Sequence, residues 1–248
     1  MATILSIDLA YKNAESLGIC LIHEAAGSIA GVEFPRANTF DLQNPIQAEQ
    51  LADAIAGFSK RNATQIVLLD GPQGWKHPSN GLKHSRICER ILNAPAKTGL
   101  VGQVKPKNYL RFVQFSIDVF QRLVNCGMKL VEQPIVTTTH GECVVAESLP
   151  YSAWRKLQIP GLPSKRRSLP RDIEERAGKL EALFGFKMPR APTHDELQAL
   201  VSGISGVPIL AGSRAGYVAE GAPPKMVDAV ITEGYIVNPR AKQPSISD

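Results

Sequence analysis

Hydrophobic residues near the N-terminus fall into three short runs that brief polar links separate. These runs cover residues 4–9, 17–23 and 28–34, and each has the length of a strand. The short links between the runs predict an antiparallel three-strand meander. A fourth run, residues 65–70, is apolar almost throughout, as expected for a strand that is covered on both faces.

Apolar positions spaced three and four residues apart predict helices in much of the remaining chain. One such stripe, from Ile46 to Phe58, predicts a helix that begins at Asn44 and Pro45, with Asn44 as its cap. Further helices are predicted over residues 85–92, 109–124 and 171–184, and from Thr193 onwards. Further strands are predicted over residues 128–132 and 142–147, followed by an irregular segment rich in Gly and Pro at 206–225 and a hairpin near 229–237.

This order of elements predicts an α/β fold. Its mixed sheet combines the antiparallel meander with parallel strands and has helices on both faces. Neither an internal repeat nor a linker between two cores is visible, so we predict one domain over residues 1–248. We expect that domain to contain a basic helical insertion at about 76–125 and a frayed tail from about residue 240.

The composition is typical of a soluble globular protein, with 44% hydrophobic and 21% charged residues. No apolar run approaches the ~20 residues that span a bilayer, and the N-terminus lacks the basic and apolar pattern of a signal peptide. The four cysteines form no C-x-x-C pair, which favours reduced thiols. We therefore expect a cytoplasmic protein without a membrane partner.

Positive charge is concentrated in one stretch of the chain. The formal net charge is +5, from 28 basic and 23 acidic residues, and residues 76–111 hold eight Lys and Arg against the single acid Glu89. A local excess of this size favours a polyanionic partner. The alternative interpretation is a solvated basic surface.

Two aspartates occupy equivalent places in the predicted sheet. Asp8 ends the first apolar run and Asp70 ends the fourth. Ligands of such sheets gather outside the carboxyl ends of the strands, and the two carboxylates would lie side by side there if the strands are neighbours. Two close carboxylates repel each other unless a cation lies between them. Oxygen ligands suit Mg²⁺ or Mn²⁺, so the pattern predicts a divalent-cation site.

A third acid lies at the start of a predicted helix. Thr193 and Glu196 have the spacing of a capping box, which places Asp195 in the first helical turn. Gln198 is three residues further and shares a helix face with Asp195. An acid in the first turn also complements the helix dipole, and for Asp195 alone that structural role is the alternative.

The residues resemble the RNase H-like superfamily and, within it, a family of predicted nucleases catalogued as domain of unknown function 429. Six segments carry the resemblance in the right order between residues 4 and 239: LSIDLA, IVLLDGPQGW, SRICERIL, CVVAESLPYSAWRKL, HDELQALVSGI and EGYIVNP. The resemblance implies an RNase H-like mixed sheet and a metal-dependent nuclease that hydrolyses phosphodiester bonds. It implies Asp8, Asp70 and Asp195 as ligands of Mg²⁺ or Mn²⁺, with Glu147 as a further catalytic acid.

The same resemblance implies a nucleic-acid partner, either DNA or RNA. The predicted contacts to it are Lys83, Arg86, Arg90, Lys105, Lys107 and Lys165. In the matching final helix, the family and the related junction resolvases often carry two acids three residues apart. Gln198 replaces the second acid here, from which we hypothesise that one cation binds firmly and a second binds weakly.

Two other function classes remain open on the sequence. Actin-like ATPases and kinases share the acid-ended first strand and the meander, although they usually carry a Gly-rich loop where this chain has DLAYKN. A nucleic-acid-binding module with a decayed site would keep the fold and the basic surface without turnover. ATP binding and residual cleavage separate these alternatives from a nuclease.

Overall fold

The computed structural model describes residues 2–136, 138 and 141–241. The strands are β1 (Ala2–Asp8), β2 (Gly18–Ala25), β3 (Ser28–Glu33), β4 (Thr64–Asp70), β5 (Lys97–Thr98), β6 (Val104–Lys105), β7 (Lys129–Leu130), β8 (Val144–Ser148), β9 (Tyr217–Val227) and β10 (Val230–Pro239). The helices are α1 (Ala48–Arg61), α2 (Ile87–Leu92), α3 (Leu110–Asn125), α4 (Pro150–Lys156), α5 (Pro170–Phe184), α6 (His194–Gly203) and α7 (Gly206–Leu210).

One large mixed sheet has the strand order β3-β2-β1-β4-β8-β10-β9, with β7 also pairing with β8. Strands β1, β2 and β3 form an antiparallel meander, and β4 and β8 extend it in parallel from β1. Strand β10 is parallel to β8 and antiparallel to the edge strand β9. The predicted mixed α/β sheet with an antiparallel meander and parallel strands is thus confirmed.

Alternation of side chains along the strands divides the core between the two faces of the sheet. Leu5 and Ile7 of β1 pack in one core with residues of α1 and α3. Ile4 of the same strand packs on the other face, in a core shared with α4, α5 and α6. Since β4 and β8 are covered on both sides, they carry the continuous apolar runs from which the sequence predicted buried strands.

Helix α6 lies unusually close to the meander because a glycine faces the strands. A Cβ atom placed on Gly203 would lie 2.8 Å from Cδ1 of Ile22 and 2.9 Å from Cβ of Ser6. Only a residue without a side chain leaves room for that approach. The close packing brings the N-terminal turn of α6 to the carboxyl end of β1.

Two predicted elements are wrong in position or type. Helix α1 begins at Ala48 rather than at Asn44, because the Asn44 side chain instead accepts a hydrogen bond of 2.8 Å from the backbone N–H of Ala14. Residues 217–225, which the sequence predicted as irregular, form most of strand β9. Its prolines, Pro223 and Pro224, lack backbone donors but are tolerated at the edge of the sheet, where the register with β10 shifts.

Within the described residues, no helix combines the length and the apolar content needed to cross a membrane.

Candidate active site

Asp8 and Asp70 meet at the carboxyl-end edge of the sheet. They are the last residues of β1 and β4 and lie directly opposite each other in the parallel register, so that both side chains leave the same face. Their carboxyl groups are close enough to share a hydrogen bond. Burial raises the pKa of Asp70 to about 7. Burial, followed by the charges of Asp70 and Asp195, raises the pKa of Asp8 well above its usual range.

Asp195 is placed beside this pair by a second glycine contact. Gly18 of β2 is the antiparallel partner of Asp8, and a Cβ atom on Gly18 would lie 2.0 Å from the backbone oxygen of Asp195. The first turn of α6 therefore packs directly against the strand next to Asp8. The capping box of that helix is formed as the sequence indicates, with Thr193 Oγ1 accepting from the N–H of Glu196 at 3.2 Å.

The Asp195 carboxylate has two partners of its own. Lys165 Nζ donates to Oδ2, and His194 Nδ1 lies 3.1 Å from Oδ1. The second ring nitrogen of His194, Nε2, lies 3.0 Å from the carbonyl oxygen of Pro163. Although burial opposes it, hydrogen bonding to His194 and Lys165 holds the pKa of Asp195 below its usual value.

Asp195 is thus held by an ammonium group, whereas Asp8 and Asp70 face each other across two neighbouring strands. Across the parts of the chain that the structure describes, no three or more His, Cys, Asp and Glu side chains are arranged as a ready metal cluster. Two adjacent carboxylates are suitable ligands for a hard divalent cation. The third ligand becomes available only if the Asp195 carboxylate turns away from Lys165.

Gln198 does not present its side-chain oxygen to the two aspartates. Its Oε1 accepts a hydrogen bond of 2.7 Å from the indole N–H of Trp154 in α4. The face of α6 that Asp195 and Gln198 share by their spacing is therefore directed at α4 where Gln198 lies. The sequence analysis did not identify His194 and Trp154 as residues that contact Asp195 and Gln198. The position of His194 directly before Asp195 was the available signal.

Glu147 is directed to the opposite face of the sheet. Its neighbour Ser148 pairs with Asp70, and successive residues of a strand point to opposite faces. The carboxylate of Glu147 accepts hydrogen bonds from both terminal nitrogens of Arg86, at 2.6 and 2.8 Å, and from the N–H of Gln73 at 2.9 Å. Glu147 is 4% exposed. The structure thus places the predicted fourth acid in a buried ion pair with Arg86, from which its negative charge still contributes to the raised pKa of Asp70.

Arg86, which the sequence predicted as a nucleic-acid contact, lies in the interior and not at the surface. Arg86 is 1% exposed, and its Nε atom donates to Glu89 at 3.0 Å while its terminal nitrogens bind Glu147. A charge can be buried in this way only when its partners satisfy it. Glu89 lies only three residues from Arg86 in the chain, whereas Glu147 comes from a strand 61 residues away.

Another buried acid, Glu233 of β10, binds the segment that precedes and includes Arg86. Its carboxylate accepts hydrogen bonds from the backbone N–H groups of His77 and Ile87, at 3.0 and 2.9 Å, and from the Asn80 side chain at 2.6 Å. Arg86 and Glu233 together hold residues 77–89 against the sheet. Three of the segments that carry the family resemblance, SRICERIL, CVVAESLP and EGYIVNP, therefore supply structural ion pairs and anchors.

Most of the remaining predicted nucleic-acid contacts lie at the surface. Lys83, Lys105 and Lys107, called the lysine cluster below, are exposed, as is Arg90. A cavity of about 850 Å³ is lined in part by Lys105, Lys107 and His84. Burial, together with the positive charges of nearby lysines, lowers the pKa of His84. The basic insertion therefore concentrates positive potential around an open cavity.

No protein-family model matches this chain, and no curated protein matches it. Among solved structures, it is similar to the Thermus thermophilus RuvC in complex with a Holliday junction substrate, with 14% identity and a TM-score of 0.40 over 86% of this chain and 98% of that one. It is also similar to a second T. thermophilus RuvC structure, with 12% identity and a TM-score of 0.41 over 85% and 97% of the chains.

Proposed function

We propose that this protein is a metal-dependent nuclease that hydrolyses phosphodiester bonds of DNA or RNA. The supporting observation is the pair formed by Asp8 and Asp70, whose carboxyl groups are crowded together at the carboxyl-end edge of the sheet and retain a proton near neutral pH. Such crowding costs stability unless a cation relieves it, and functional sites are where that cost is found. Membership of the family of domain of unknown function 429 belongs to the same proposal and is supported by the six sequence segments.

Asp8 and Asp70 would hold one Mg²⁺ or Mn²⁺, with Asp195 as the nearby third acid. When bound, the cation would offset the negative charge that develops around the phosphate during the reaction. Hydrolysis forms a bond from the water oxygen to phosphorus and breaks one P–O ester bond. One proton of the water passes to the leaving oxygen, and the products are a phosphomonoester and an alcohol. Ionised carboxylates at the site orient the attacking water through hydrogen bonds.

The lysine cluster would bind the phosphate backbone of the substrate, since its three ammonium groups are exposed on the basic insertion that follows Asp70. The buried pairs of Arg86 and Glu233 hold that insertion in place. Tyr109, which is 43% exposed beside Lys107, offers a ring on which a base can stack.

Cleavage of labelled single-stranded, double-stranded and branched oligonucleotides of DNA and RNA, with Mn²⁺ or with EDTA, tests the proposal. We expect cleavage that requires Mn²⁺ and is lost in Asp8→Asn while salt-dependent binding persists. Asp228→Asn, which alters an exposed aspartate in the β9–β10 turn, is the matched control and should cleave like the parent protein. Binding without cleavage in every condition would instead support the non-catalytic module, and ATP binding would support the actin-like alternative.

A further inference from the structure

We infer that the site binds one divalent cation tightly and that Lys165 supplies the second positive charge that a two-cation nuclease takes from its second metal ion. This inference rests on the proposed function and concerns how the charge of that same site is balanced.

The contact of Lys165 with Asp195 and the anchoring of its loop both suit this role. It lies between α4 and α5, and its ammonium group donates to the Asp195 carboxylate. The loop is anchored two residues earlier, where the carbonyl oxygen of Pro163 lies 3.0 Å from the His194 ring. The Lys165 side chain is 57% exposed and that of Asp195 is 12% exposed. The ammonium group therefore stands at the solvent side of the acid, where a phosphate would approach.

Three carboxylate charges are balanced by one divalent cation together with one ammonium group, whereas two divalent cations and Lys165 would leave an excess of positive charge. A lysine is well suited to this place because its compact ammonium group can contact both a carboxylate and a phosphate oxygen.

The ligands that a second cation would need are already occupied. The Asp195 carboxylate binds Lys165 and His194. The Gln198 oxygen accepts from Trp154 at 2.7 Å and brings no charge of its own. What remains for metal binding is the pair Asp8 and Asp70, which lie directly opposite each other in the register of β1 and β4 and fit a single cation.

Calorimetric titration with Mn²⁺ alone, on the full chain without nucleic acid, tests the inference. We expect one Mn²⁺ per chain in the parent protein and two in Lys165→Met, because removal of the ammonium group frees the Asp195 carboxylate as a ligand. Lys165→Arg retains the charge and should still bind one. Arg166→Met, which removes the same charge from the adjacent exposed residue, is the matched control and should also bind one.

Two Mn²⁺ in the parent protein, or one in Lys165→Met, would overturn the inference. Circular dichroism establishes that each variant is folded, and if Lys165→Met does not fold, Lys165→Gln takes its place with the same expectation. Failure of the proposed function gives a different result, since then neither Mn²⁺ binding nor cleavage depends on Asp8. A parent protein that cleaves with Mn²⁺ and binds two ions refutes only the role of Lys165.

Discussion

Replacement of Asp70 with Asn is expected to stabilise the metal-free protein at pH 8. The pKa of Asp70 is about 7 in the folded protein, against an ordinary value of 3.8, so the folded state holds the proton more firmly than the unfolded state. The resulting stabilisation is complete below pH 3.8 and is lost as the pH rises through 7. At pH 8 the parent protein therefore carries the full cost of an ionised Asp70 carboxylate that is largely withdrawn from water and lies near the charge of Glu147.

The size of this cost follows from the difference in pKa. At 1.36 kcal/mol per pH unit, the difference corresponds to roughly 4 kcal/mol. The Asp70 carboxyl group keeps some contact with solvent, which screens its charge and reduces the expected gain to about 2 kcal/mol. Asn has the shape of Asp, stays neutral at every pH, and can donate its amide hydrogen to Asp8 where the shared proton stood.

Thermal unfolding in EDTA at pH 4.5 and pH 8 measures the effect. In a chain of this length, a gain of about 2 kcal/mol raises Tm by roughly 4–8 °C. The gain should shrink at pH 4.5, and the control Asp228→Asn should change stability by less than about 0.5 kcal/mol at both pH values. Mn²⁺ should raise the Tm of the parent protein but not of Asp70→Asn. An equal gain at both pH values, or none at pH 8, would refute the explanation that the ionised Asp70 carboxylate is buried at a cost in stability.

Three further variants test how the surrounding structure supports the site. Gly18→Ala should displace the first turn of α6, because the added Cβ would lie 2.0 Å from the backbone oxygen of Asp195. We expect the free energy of unfolding to decrease by roughly 1–3 kcal/mol. Calorimetry should also show weaker Mn²⁺ binding. Arg86→Met leaves Glu147 buried without its partner and should cost about 3–5 kcal/mol in urea unfolding. Changing the lysine cluster to Gln should flatten the salt dependence of oligonucleotide binding, by roughly 0.7–0.9 in log–log slope for each phosphate that is no longer neutralised, and an unchanged slope contradicts the proposed role of these lysines.

The mixed sheet could be predicted in outline because its information is local. Strands β1 and β4 are short apolar runs that end in an acid, and helix α6 begins with a capping box that is visible in four consecutive residues. Periodicity and capping depend on neighbouring residues in the chain, so they can be recognised without a structure. The predictions failed where contacts between residues far apart in the sequence determine the structure. Strand β9 is an example, because its prolines are compatible with a strand only at the edge of the sheet.

The sequence by itself determined which acids end which elements, and hence that Asp8 and Asp70 belong to one edge if their strands are neighbours. Only the tertiary structure decided which charges are available there. Lys165 meets Asp195 across 30 residues and Arg86 meets Glu147 across 61, and no local pattern distinguishes the exposed lysine from the buried arginine. The physical reason is that burying a charge depends on a partner brought from elsewhere in the chain, because an unpaired charge cannot leave water at acceptable cost.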